Sequence, residues 1–101
     1  MENLPALLPE ITADSIVSRT IYQDKQMRLI AFGFAAGEEL TEHTAAFPVA
    51  LHFIAGEATV VLDEDEYQVK PGAWLHMPAR LPHSVKADTA VTMLLYLFMG
   101  G

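Results

Sequence analysis

Two histidines, His43 and His83, stand in segments of the same design. In the first, Gly37 is followed by the short run Glu38-Glu39-Leu40-Thr41-Glu42 and then His43. In the second, Gly72 leads through Ala73-Trp74-Leu75-His76-Met77-Pro78 and Ala79-Arg80-Leu81-Pro82 to His83. Each segment has a turn glycine, a short strand and then a histidine, and an antiparallel β fold can bring such equivalent positions together across its interior. Imidazole is the commonest neutral ligand for zinc, nickel, copper and iron, and two converging rings are the minimal start of a metal site. The chain has no cysteine, so thiolate ligands and disulfides are excluded and histidine and carboxylate remain.

Other residues compete for a place beside this pair. His76 would be a third nitrogen ligand if its side chain points inward, giving the open site that catalytic zinc uses. Alternation does not assign it, because Trp74/His76 and Leu75/Met77 both include large apolar residues. His52 has opposite parity to Val49, Leu51 and Phe53 and is expected outside. Glu39 and Glu42, next to His43 at a turn, read as solvated. The residues expected to line a substrate pocket are Phe47, Val49, Leu51, Phe53, Met77 and Met93, with Trp74 and Tyr96 beside them. A concave apolar site with a few polar groups suits a small organic molecule; ordinary core packing is the alternative for most of these residues. Arg80, placed near the mouth, has forked donors suited to a substrate carboxylate, with a solvated loop arginine as the alternative.

The elements that must position these residues are strands. From Ser15 onward, short apolar runs are divided by turn residues, the pattern of an all-β sandwich or barrel. Expected strands run over Ile16–Gln23, Met27–Ala35, Val49–Ala55, Ala58–Leu62, Tyr67–Val69, Ala73–Met77 and Val91–Met99. Asp63 to Glu66 reads as a solvated acidic turn rather than a cation site, because it lacks the spacing of a calcium loop. Before Ser15 only a turn near Leu4 to Leu8 is expected, since Pro5 and Pro9 cut any helix short. In the last strand apolar residues occupy both parities: Val91, Met93, Leu95 and Leu97, but also Leu94, Tyr96 and Phe98. Such a strand needs cover on both faces, which a homodimer interface would supply; the N-terminal residues Leu4, Leu7, Leu8 and Ile11 are the alternative cover.

At 101 residues the chain is long enough for a single core. The expected organisation is an extended N-terminal arm, residues 1–14, and one β domain, residues 15–101. A net charge of −7 argues against nucleic acid and anionic lipid as partners. The N-terminus lacks a basic region followed by a long apolar run, and no apolar stretch reaches the roughly 18 residues of a membrane span. A soluble cytoplasmic protein is expected.

The two histidine segments resemble the paired motifs of the cupin superfamily. The first motif of that family is Gly, five residues, His-x-His, three or four residues, Glu, six residues and Gly; Gly37, His43 and Gly56 fall in register with it. The second is Gly, five residues, Pro-x-Gly, two residues, His, three residues and Asn; Gly72, Pro78 and His83 fall in register. The resemblance covers Gly37 to Ala87 and implies a single-domain antiparallel β-barrel or jelly-roll sandwich. In cupins that are metal enzymes, three histidines and the glutamate hold the metal. Here Ala45 replaces the second histidine, Val49 the glutamate, Arg80 the inner glycine and Ala87 the asparagine. The implied function is a small-molecule pocket with a divalent metal (Zn, Ni, Fe or Mn) held through His43 and His83. A metal-free binder or sensor, or an accessory homodimer without catalysis, stands as the alternative.

Overall fold

The structure, a computed structural model, describes residues 8–100. Nine strands follow one another: β1 (Ile16–Gln23), β2 (Met27–Phe34), β3 (Glu39–His43), β4 (Val49–Ala55), β5 (Ala58–Leu62), β6 (Asp65–Val69), β7 (Trp74–Met77), β8 (His83–Ala87) and β9 (Val91–Phe98). They pair antiparallel into a five-stranded sheet, β1-β2-β9-β4-β7, and a four-stranded sheet, β3-β8-β5-β6. The two sheets lie face to face as a jelly-roll sandwich. No ladder joins their edges among the described residues, so of the two expected forms, barrel or jelly-roll sandwich, the chain takes the sandwich.

Between the sheets lies one core, in which Phe34, Val49, Leu51, Phe53, Met77, Val91 and Met93 meet Ala58, Val60, Val69, Val85 and Ala87 of the smaller sheet. Alternation explains this selection. Along β4, Val49, Leu51 and Phe53 face inward while His52 sits on the outer face, and along β8 the inward set is His83, Val85 and Ala87. Three strands have the bounds expected from the sequence: Ile16–Gln23, Val49–Ala55 and Ala58–Leu62. The acidic tract is shorter than expected as a turn. Asp65 and Glu66 already belong to β6, and only Asp63 and Glu64 make the tip, with Asp63 in the left-handed conformation that aspartate tolerates.

The outer face of the five-stranded sheet carries a second, smaller cluster. Leu29, Ala31 and Leu94 are buried there, with Leu8, Ile21, Met27 and Tyr96 packed around them. Ile11 lies over Gly33, where any added Cβ would come within 2.8 Å of its Cγ1. Leu8 and Ile11 thus cover the β2–β9 part of this face. The expected turn at Leu4 to Leu8 and the contributions of Leu4 and Leu7 lie outside the described residues, apart from Leu8 itself.

Candidate functional site

His83 opens β8 and His43 closes β3, and the two are directly opposed in the ladder. Their rings are 4.1 Å apart between centroids at an interplanar angle of 62°. On its other side His83 faces Leu62 at the end of β5. Strict alternation would not have placed His43 here, because it lies three residues beyond Leu40, which is already opposite inward-facing Val85. A β-bulge resolves this: Thr41 and Glu42 together oppose Ser84, and the extra residue returns His43 to the inner face.

The bulge also supplies a hydrogen bond. The carbonyl oxygen of Thr41 lies 2.8 Å from Nδ1 of His43, and the carbonyl oxygen of Leu81 lies 2.9 Å from Nδ1 of His83. A carbonyl only accepts, so each Nδ1 carries the proton and each neutral ring presents an unprotonated Nε2. The two rings are therefore held by the same local device, a bond back to the carbonyl two residues earlier. Hydrogen bonds of this type fix the tautomer and orientation of metal-ligating histidines. His83 is 3 % exposed, and burial pulls its pKa below the ordinary imidazole value. The Leu81 hydrogen bond opposes that shift, and the neighbouring His43 ring adds to it.

Loops from both motifs frame this end of the sandwich. Arg80 donates its backbone N–H to the carbonyl of Ala45 at 2.8 Å, joining the loop after His43 to the loop before His83. Asp63 at the β5–β6 tip donates to the carbonyl of Pro82 at 2.8 Å. Arg80 adopts φ 66°, in the left-handed region. That explains why glycine is the residue the resembling motif places here.

The residues expected to join the pair separate into three groups. His76 is directed away from it: in the ladder of β7 with β4, Leu75 and Met77 oppose inward Leu51 and Val49, while Trp74 and His76 oppose His52 and Ala50 on the outer face. His76 stacks there on Trp74, with centroids 6.3 Å apart and planes 14° apart. Val49, Leu51, Phe53, Met77 and Met93 are fully buried against one another, as core. Phe47 and Arg80 are exposed. Phe47 borders an open groove of about 570 Å³ shared with Asp24, Gln26, Met27, Pro48 and Phe98.

A divalent metal would find two neutral nitrogens here and no anionic ligand. Among the described residues, no group of three or more His, Cys, Asp and Glu side chains converges. Ala45 and Val49, at the positions of the missing ligands, are packed against or within the core. The donor set fits a two-point attachment with the remaining positions left to solvent or a bound molecule. What the sequence did not disclose was the pair of carbonyls, Thr41 and Leu81, that orient the rings. Backbone acceptors leave no trace in residue type.

Among curated proteins none matches in sequence. A conserved Streptococcus pyogenes protein of unknown function shares 28 % identity and superposes with a TM-score of 0.83, over 91 % of this chain and 81 % of its own. A cupin superfamily protein from Desulfitobacterium hafniense superposes at 0.86 with 22 % identity, over 91 % of this chain and 84 % of its own. Salicylate 1,2-dioxygenase from Pseudoaminobacter salicylatoxidans superposes at 0.80 with 15 % identity; 89 % of this chain covers 27 % of that enzyme. The family described as Cupin domain matches residues 31–99, which takes in β3 to β9 and both histidines, and the chain belongs to that family.

Proposed function

We propose that this cupin binds a small organic molecule over the His43–His83 pair, with a divalent metal held through the two Nε2 atoms. One observation carries this reading: both Nδ1 atoms are committed to carbonyls, which leaves two acceptor lone pairs at neighbouring rings. Two such acceptors call for a Lewis acid or a ligand that donates. A bound metal would supply Lewis acidity there. The protein's own contribution is to hold the rings in one tautomer within a largely apolar surround that includes Leu62 and Leu81.

The donor count favours a second reading, a metal-free binder in which the same two nitrogens accept hydrogen bonds from a hydroxyl or N–H of the ligand. The likeness to salicylate 1,2-dioxygenase is one of fold, and that enzyme's reaction is not carried over.

Metal analysis of protein purified without chelator or immobilised nickel separates the readings. Near-stoichiometric Zn, Ni, Fe or Mn, lost in folded His43→Ala and His83→Ala variants, is the outcome expected for the metal site. No uptake after incubation with all four ions would overturn it. A thermal-shift screen of phenols, polyols and carboxylates then tests the metal-free reading, because a ligand that binds only the folded chain raises its melting temperature.

A further inference from the structure

The four-stranded sheet carries the histidine row further than the pair itself. Register sets Asp65 of β6 opposite Leu62, Leu62 opposite His83, and His83 opposite His43, so the four residues form one line across the sheet. The line lies on the inner face. In β6, Val69 is buried in the core, and Tyr67 and Asp65 share its side of the strand at steps of two. Along the row Asp65 is exposed, Leu62 and His43 are half-buried, and His83 is buried. Among the described residues, no fully buried side-chain nitrogen or oxygen lacks a hydrogen-bond partner. The Nε2 of His83 has none there, so that atom keeps access to solvent although its residue is buried.

Asp65 is held in its place on this row. Only Asp63 and Glu64 separate it from Leu62, and the N–H of Asp63 is bonded to the carbonyl of Pro82, the residue before His83. The hairpin tip and the histidine are therefore fixed relative to one another. Neighbouring strands stand about 4.8 Å apart, which puts the backbones of Asp65 and His83 about 10 Å apart. Asp65 does not converge with the two rings as a third metal ligand. The span suits a small organic molecule instead.

Resting on the reading of the pair given above, we infer that the molecule bound there is an organic cation, a protonated amine, and that Asp65 is the residue that selects its charge. The polar groups of the row are all acceptors, two Nε2 atoms and one carboxylate. An ammonium group carries only donors and complements such a row, and its bond to a carboxylate is charge-assisted. Tyr67, 43 % exposed, adds an aromatic ring on the same side of β6, a surface that also attracts cations. A ligand carboxylate would meet repulsion from Asp65 and from the tip acids Asp63 and Glu64. In the loops that frame this end, 44–48, 63–64 and 78–82, Arg80 is the only lysine or arginine. It is tied to Ala45 on the β3 side, which leaves the β6 side of the row acidic.

Chemical-shift titration of the ¹⁵N-labelled full chain, at about pH 7.5 and about 0.15 M salt, compares benzylamine with benzyl alcohol and benzoate, and butylamine with butanol and butyrate. Within each series the amine should bind at least about tenfold more tightly than the alcohol, and the carboxylate most weakly. Asp65→Asn should weaken amine binding at least about fivefold and leave the alcohols unchanged. Glu66→Gln is the control. It deletes the same charge from the same strand on the outer face, opposite Val61, and should change amine affinity less than twofold. Both acids are exposed, so the variants should keep the parent's circular dichroism. Binding that needs His43 and His83 but does not prefer the amines overturns the inference and leaves the pocket standing. Equal losses in Asp65→Asn and Glu66→Gln also overturn it, because the attraction is then that of the chain's net charge. Amine binding that survives in folded His43→Ala and His83→Ala variants overturns the pocket reading together with this one.

Discussion

His43 and His83 face each other across the β3–β8 ladder with ring centroids 4.1 Å apart, and each ring is tethered through Nδ1 to the carbonyl two residues before it. The duplication gives two rings of the same tautomer rather than a complementary donor–acceptor pair. Above pH 7, in protein freed of metal by chelator, both imidazoles should be Nδ1–H tautomers. Long-range ¹H–¹⁵N correlation spectra check this directly, with Nε2 of both residues expected at the unprotonated shift. An Nε2–H tautomer at either residue would remove the acceptor pair on which the site depends.

The burial of His83 makes a prediction about acid stability. Its folded pKa lies below the ordinary imidazole value of about 6.5 because burial disfavours the charged ring. Between that folded value and about 6.5, the unfolded chain binds more protons than the folded one. The stabilising contribution is therefore complete above about pH 6.5 and is lost as pH falls below it, with a slope of at most about 1.4 kcal/mol per pH unit from this one group. Urea unfolding of metal-free protein at pH 7.5, 6.5 and 5.5 measures it. His83→Phe should flatten the slope over this range, whatever it does to absolute stability; an unchanged slope would mean that other groups carry it.

Packing separates core from pocket. Phe53 and Met93 are fully buried in the cluster between the sheets, so Phe53→Ala should cost about 3–5 kcal/mol and Met93→Ala about 2–5 kcal/mol. Phe47, 40 % exposed at the groove, should cost no more than about 1 kcal/mol when cut to alanine. Chemical denaturation of the three variants decides the matter. A small loss at Phe53 or Met93 would indicate slack at that position, and hence a cavity.

Much of this fold can be read from the sequence because the larger strands are long and apolar and their ends are marked by Asp24-Lys25, Gly56-Glu57 and Pro71-Gly72. The histidine pair is legible through its two glycine-led segments. Four features are not. The bulge at Thr41–Glu42 changes parity without any residue that announces it, so only the resemblance placed His43 inward. The side on which His76 lies is hidden because β7 is apolar on both faces, with Leu75 and Met77 packed in the core and Trp74 outside. Strand β8 is missed as a strand because His83, Ser84 and Lys86 dilute its apolar signal, although Val85 and Ala87 alternate correctly once the register is known. Closure into a barrel, finally, depends on ladders between edge strands, and edge pairing has no signature in a single strand's composition.

Arg80 occupies a position whose backbone favours glycine. With φ 66° its Cβ is crowded against the backbone, at a cost of roughly 1–2 kcal/mol for a residue other than glycine, asparagine or aspartate. Its N–H is fixed to Ala45, so the turn cannot relax without parting the two histidine loops. Arg80→Gly relieves the crowding but gives the unfolded chain more freedom, so the net gain should be about 0.5–1 kcal/mol. Arg80→Ala keeps the Cβ and the strain and should stay within about 0.5 kcal/mol of the parent. Thermal unfolding of the two variants separates backbone from side chain. If alanine and glycine stabilise equally, the guanidinium rather than the turn is the source of the cost. If alanine instead lowers affinity for carboxylate ligands in the thermal-shift screen, the arginine does reach into the site from the loop it strains.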